Sequence, residues 1–391
     1  MAIESILIVF GVALTVSFIV SEIFYRLKYP RVIGAIFAGI ILGLPVIKQI
    51  FSANAFRDIN FLSELGIIFL LMLAGLEINL RKLKHAEKDA FLIATFGAIV
   101  PLAMGYLFMI ALGYSKIIAF VLGICLSLTA EGTTLKVLFD MDALNTRIGT
   151  TILGAGIIDD VFEVIFLSAI LIIANRDIKN LIWFPAKLVF FIAVIFLVFK
   201  LIPLFIRFIQ KERSRVATFS TILLIGLWIA IISQGLALGP IIGAFIAGII
   251  IQVSIKNRHE EQENVEELKI MTFSFVIPFF FINMGLHLDF HSLLTNFWLM
   301  LSVTCIAIIG KVVGAVMVTP LTDLSLKQSY IIGWGMNSRG AVELVIAEIA
   351  RINGLIPIEV YSSIIIMAIL TTLMFPVVLK RYIKEDRAIL D

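Results

Sequence analysis

Two adjacent carboxylates stand inside an otherwise apolar run, Gly154-Ala-Gly-Ile-Ile-Asp159-Asp160-Val-Phe-Glu163. An acid at the centre of a bilayer costs roughly 2.5 to 3.5 kcal/mol on insertion scales, so an ionisable residue held there is a functional candidate by default. Neighbours on a helix project about 100° apart, which lets one carboxylate face a partner helix while the other faces a cavity. Acids this close lose their protons in coupled steps. Such a group exchanges a proton near neutral pH and, once ionised, offers hard oxygen ligands to a small cation.

A base is available to oppose them. Lys311, in Ile308-Ile-Gly-Lys-Val-Val-Gly314, lies inside a second apolar run, and a buried ammonium seeks a carboxylate such as Asp159 or Asp160. Two further runs carry polar, glycine-bearing interruptions. One is Ser127-Leu-Thr129-Ala-Glu131-Gly132-Thr133-Thr134; the other is Gly333-Trp-Gly335-Met-Asn337-Ser338-Arg339-Gly340-Ala-Val-Glu343. Interrupted helices expose half-helix ends whose partial charges and carbonyls stabilise a cation or an acid. Glu131 and Arg339 are expected at the point where the two cross, with Glu131 free to neutralise Arg339.

The elements that hold these residues must live in lipid. Of 391 residues, 61% are apolar and 15% charged, with a mean hydropathy of +1.08. Soluble domains run at roughly 45 to 50% apolar and about 25% charged, and a globule of this size must keep a hydrated shell. A formal net charge of +3 gives no basis for nucleic-acid binding. Cys125 and Cys305 belong to no Cys-x-x-Cys pattern, so they suggest neither a disulfide framework nor zinc and read as small buried hydrophobes. No cofactor is implied.

Thirteen segments have the length to span a bilayer, at about 3–26, 31–48, 61–80, 89–113, 115–137, 146–174, 181–209, 215–238, 239–255, 269–288, 295–319, 326–349 and 357–380. The first reads as a retained helix, since Glu4 stands where a signal peptide carries positive charge. Loops on one side hold 21 Lys and Arg and those on the other hold 6. That bias puts the C-terminus in the cytoplasm and the N-terminus outside the cell membrane. Lys187 and Lys200 remain within a span and are expected to snorkel to an interface.

The chain also repeats itself. Ile33-Gly-Ala-Ile-Phe-Ala-Gly39 returns as Ile242-Gly-Ala-Phe-Ile-Ala-Gly248, Gly75-Leu-Glu-Ile-Asn79 lines up with Gly285-Leu-His-Leu-Asp289, and Gly123 matches Gly333, all at an offset near 210. The offset lays Thr129 on Arg339 and Pro101 on Lys311. Two six-helix repeats joined by a linker span then start on opposite sides of the bilayer. Inverted repeats of this kind are a signature of secondary transporters.

Taken together, the Asp159-Asp160 pair after glycines, Lys311-x-x-Gly314, Pro278-Phe-Phe-Phe-Ile-Asn-Met-Gly285-Leu and Ser338-Arg-Gly340 resemble the monovalent cation:proton antiporters of the NapA and Kef type. The resemblance covers almost the whole chain. It implies an all-α polytopic protein of the NhaA/NapA-like fold with discontinuous crossing helices. It further implies a homodimer whose scaffold comprises residues 1–85 and 211–290, a core of 86–175 and 291–391 that moves like an elevator, and a linker helix at 176–210. By motif, Asp160 is the main ligand of the transported Na+ or Li+, Asp159 the partner of Lys311, and Thr129 a helper in the unwound segment. The Asp-Asp pair with its lysine resembles the electrogenic branch. The chain departs from the pattern at Ala341, where many relatives carry glutamate, and it adds Glu131, Glu163 and Glu343. No GxGxxG follows a strand, which favours Na+ over the regulated K+ efflux of Kef systems.

Rival chemistries fit less well. An intramembrane aspartyl protease takes one acid from each of two facing helices, whereas these acids are neighbours on one. A sodium-coupled organic-anion symporter on a related scaffold is the other alternative, alongside K+/H+ exchange.

Overall fold

The computed structural model describes residues 6–44, 53–77, 88–130, 146–174, 215–236, 240–254, 258–289 and 295–385, together with residues 47, 134, 137, 138, 141, 143 and 144. These residues form fourteen α-helices, one short 3-10 turn and no strand, the all-α architecture expected of the sequence. In chain order the helices are α1 (Ile6–Arg26), α2 (Arg31–Gly43), α3 (Ala53–Glu77), α4 (Lys88–Ala111), α5 (Lys116–Ser127), α6 (Arg147–Ala174) and α7 (Arg215–Gly235). They continue with α8 (Pro240–Ser254), α9 (Arg258–Phe275), α10 (Ile277–Leu286), α11 (Phe297–Met317), α12 (Leu326–Gly335), α13 (Ala341–Ile352) and α14 (Ile358–Glu385). Large apolar side chains such as Phe18, Trp228 and Trp298 stand exposed on their outer faces, as lipid-facing residues do.

Two interruptions agree with the sequence reading and one element differs from it. The span over 115–137 leaves the helix after Ser127, and that over 326–349 is split at 336–340 into α12 and α13, as expected of discontinuous helices. The charged stretch before Lys269, read as a loop, is the first part of α9. Its Glu, Gln, Arg and Lys residues are good helix formers, so the helix extends past its apolar part. Cys125 is buried as expected, but Cys305 is exposed on α11. The linker span with Lys187 and Lys200, and residue Glu131, lie outside the described residues.

Local chemistry sets several of these boundaries. Ser325 caps α12 reciprocally: its Oγ accepts from Gln328 N at 3.2 Å, and its own N–H donates to Gln328 Oε1 at 2.9 Å. The Ser115 hydroxyl accepts from Ile118 N at the start of α5.

The chain forms two compact units: Met1–Ile78 with Leu171–His287, and Asn79–Ile170 with Leu288–Asp391. In the first, a Cβ on Gly39 would strike the Ile282 carbonyl and Gly285, while one on Gly248 would strike the Met72 carbonyl and Gly75. Under the sequence offset, Gly39 corresponds to Gly248 and Gly285 to Gly75. The two contacts are therefore the same contact made twice with the repeats exchanged, so α2 crosses α10 as α8 crosses α3.

The second unit shows the same exchange. A Cβ on Gly123 would meet the Leu102 carbonyl, and one on Gly333 would meet Val312. Leu102 and Val312 are again 210 apart, so α5 leans on α4 as α12 leans on α11. Gly310 of α11 fits against Pro101 of α4 and Gly314 against Phe96, so Lys311 lies between two close contacts of those helices.

Candidate functional site

Two chain breaks meet inside the second unit. α5 ends where Leu128 turns extended (φ −77°, ψ 157°), and α13 begins after an extended Gly340 (φ −131°, ψ −166°). Across the junction Ala130 N–H donates to Ser338 O at 2.9 Å, and Ser338 Oγ donates to Ala130 O at 2.5 Å. Thr134 Oγ1 donates to Gly335 O at 2.6 Å and lies 2.8 Å from Ser338 Oγ. These bonds satisfy backbone groups that the missing helical turns would orphan, a requirement made strict by the absence of water in lipid. Gly340 lies so close to Ala130 that a side chain there would collide with it.

Arg339 binds the break from within. Its guanidinium donates to the carbonyls of Leu128 and Leu126, the latter at 2.8 Å, so a fixed cation sits on the negative end of α5. Arg339 N–H is held by Thr372 Oγ1 at 3.1 Å. One turn along α13, Glu343 Oε2 stands 3.8 Å from the guanidinium, with Glu343 1% exposed. Both Glu343 carboxylate oxygens and Arg339 Nε are buried without a hydrogen bond. The sequence offers Glu131 as the counter-charge; among the described residues Glu343 stands beside Arg339.

Lys311 reaches the same junction from α11. Its side chain is fully buried, and Nζ donates to Thr129 Oγ1 at 2.6 Å. Asp159 Oδ2, also fully buried, lies 3.8 Å from Nζ. Asp159 occurs near the middle of α6, and neither of its oxygens has a hydrogen-bond partner. Neighbouring Asp160 and, one turn further, Glu163 are half-buried. The structure thus gathers Thr129, Asp159, Lys311, Arg339 and Glu343 in one unit, with Asp160 displaced around α6 toward a more open face.

Sequence reading missed the interlock made by Thr134, Ser338 and Thr372, and the two carbonyls held by Arg339. The offset that laid Thr129 on Arg339 carried the signal for the latter, because it put the cation at the end of α5.

An ammonium, a guanidinium and carboxylates held at crossed half-helices, within inverted repeats, define a secondary transporter. Residues 11–385 match the sodium/hydrogen exchanger transmembrane family. The probable Na+/H+ antiporter GerT of Bacillus cereus is 33% identical over 362 residues, covering 92% of this chain and 95% of that protein. The Na+/H+-K+ antiporter GerN of the same organism is 32% identical over 356 residues, covering 91% and 90%. The fold is that of the sodium proton antiporter MjNhaP1 from Methanocaldococcus jannaschii, with a TM-score of 0.66 at 18% identity over 96% of this chain and 95% of that one. The chain belongs to the sodium/hydrogen exchanger family, and its class of activity is cation/proton exchange across a membrane rather than enzymatic turnover.

Proposed function

We propose that the chain exchanges Na+ or Li+ for protons, using one set of carboxylates that the two substrates occupy in turn. Asp160 is the principal cation ligand, with Asp159 and Thr129 completing the oxygen set. Lys311 is the ammonium that occupies Thr129 and faces Asp159 while the cation is away. The observation that carries this reading is the fully buried Lys311, bonded to Thr129 and within ion-pair reach of the equally buried Asp159. A charge so deeply buried is costly, so an arrangement that can trade it for a metal ion is a natural exchange device.

The same reading takes the second unit as the moving core of an elevator step and the first as scaffold and dimer contact in a homodimer. It places the protein in the cell membrane with the N-terminus outside and the C-terminus cytoplasmic. Exchange is electrogenic, with more protons than cations moved per cycle. Potassium is the second cation to test, because GerN carries it in its name.

Asp160→Asn is expected to abolish Na+-dependent proton movement in proteoliposomes while leaving the melting temperature and oligomeric state intact. Full exchange by that variant would overturn the assignment. Comparing Na+, Li+ and K+ in the same vesicles, with and without a clamped voltage, decides cation and charge balance.

A further inference from the structure

A helix that breaks inside a bilayer leaves its last carbonyls free, and in secondary transporters such half-helix ends are where a transported cation finds oxygens. Here the end of α5 is already occupied. Leu126 O and Leu128 O accept from the Arg339 guanidinium, Ile124 O accepts from Ser127 Oγ at 2.7 Å, and Ala130 O accepts from Ser338 Oγ at 2.5 Å. Every second carbonyl from Ile124 to Ala130 thus has a donor supplied by a side chain.

Arg339 is the donor that bears on the cation. Its planar guanidinium holds two carbonyls at once, and it is buried, so water does not compete for them. It also stands beside the exchange centre. Lys311 binds Thr129, the residue after Leu128, and Asp159 is within electrostatic reach of both Lys311 and Arg339. A guanidinium alone at that place would repel an arriving cation. Glu343, also buried and 3.8 Å from it, offsets that charge. The pair therefore withholds two carbonyls from the centre while adding little net charge to it.

We propose that Arg339 sets the cation preference of the exchanger by denying the transported ion the carbonyls of Leu126 and Leu128. This rests on the exchange reading above and adds to it which ions pass. Potassium sites replace a large hydration shell with rings of backbone carbonyls, whereas a small hard cation is held by few oxygens, carboxylates foremost. The ligands assigned to the cation, two carboxylates and one hydroxyl, form a short and strongly charged set that suits Na+ or Li+. Freeing the two carbonyls extends that set toward what K+ requires.

The test compares the KM for Na+ with that for K+ in proteoliposomes at one pH, for wild type, Arg339→Lys and the double variant Arg339→Gln with Glu343→Gln. The double variant removes both charges together, so it leaves no buried carboxylate stranded. Lysine is a point donor that still caps one carbonyl. Wild type is expected to favour Na+, Arg339→Lys to favour it about threefold less, and the double variant about tenfold less, a shift of about 1.4 kcal/mol. The Na+ and K+ concentrations that raise the melting temperature in detergent give the same ratio for a variant that binds but no longer transports. A role in folding alone would weaken both ions alike, and an unchanged ratio in both variants would overturn the proposal. A wild type that takes K+ as readily as Na+ would overturn it too. A wild type indifferent to every alkali cation would instead sink the exchange reading, and the proposal with it.

Discussion

Lys311 bonds to Thr129 more closely than to Asp159: the ammonium is 2.6 Å from the threonine hydroxyl and 3.8 Å from the carboxylate. The hydroxyl that would serve a cation is thus held by the lysine in this state. Under the proposed exchange, a cation entering the site takes Thr129 and Asp159 from Lys311. Thr129→Val removes the shared acceptor while keeping shape. A hydrogen bond to a charged group contributes about 1.5 to 3 kcal/mol. The variant is expected to lose about that much stability and to raise the KM for Na+ about tenfold, with Thr129→Ser close to wild type. Scanning calorimetry and vesicle exchange check the two effects, and an unchanged KM in Thr129→Val would remove the threonine from the cation site.

Removing the ammonium has a larger predicted effect. Lys311→Ala leaves the Asp159 carboxylate buried without its counter-charge, a situation that costs about 3 to 5 kcal/mol in proteins. The variant is expected to be destabilised accordingly, or to keep Asp159 protonated and move less charge per cycle. Current measured on a solid-supported membrane, together with the melting temperature, separates these outcomes. If neither changed, the pairing of Lys311 with Asp159 would have no energetic meaning.

The parts of this arrangement legible in the sequence were those written in side-chain type and spacing. Glycines at Gly39, Gly75, Gly248 and Gly285 marked close helix crossings because only hydrogen fits there, and their common offset exposed the duplication. Asp159 and Lys311 were visible as charges in apolar runs. Arg339 was visible too, but its partners were not, since the Leu126 and Leu128 carbonyls carry no signature beyond the chain itself. The helical start of α9 was missed for a related reason. A hydropathy reading ends a span where charge begins, whereas helix propensity ignores that border.

Arg339 offers a test of the crossing itself. Lysine carries the same charge but is a point donor, so it cannot span both carbonyls as the planar guanidinium does. Arg339→Lys is expected to fold with lower stability and slower exchange. Arg339→Gln additionally strands the buried Glu343 and is expected to be the worse variant. Adding Glu343→Gln to Arg339→Gln should then restore part of the loss, with a coupling of about 0.5 to 3 kcal/mol in the double-mutant cycle. Additive effects would mean that Glu343 does not balance Arg339, despite the 3.8 Å between them.

Under the proposed exchange, competition of two substrates for one site fixes the pH dependence of transport. The cation needs ionised carboxylates, so protons raise its apparent KM without touching the rate at saturating cation. Where a single proton must leave, KM falls about tenfold for each unit of rising pH while the site is still mostly protonated, then levels off; two coupled protons make the fall steeper. Exchange measured in vesicles from pH 6 to 9, over a range of Na+ at each pH, gives that slope directly. With Asp160 losing one proton and Lys311 losing another as it gives up Thr129 and Asp159, the slope is expected to exceed that of one proton, as the proposed electrogenic cycle requires. A KM flat with pH, accompanied by a changing maximal rate, would place the proton on a site separate from the cation.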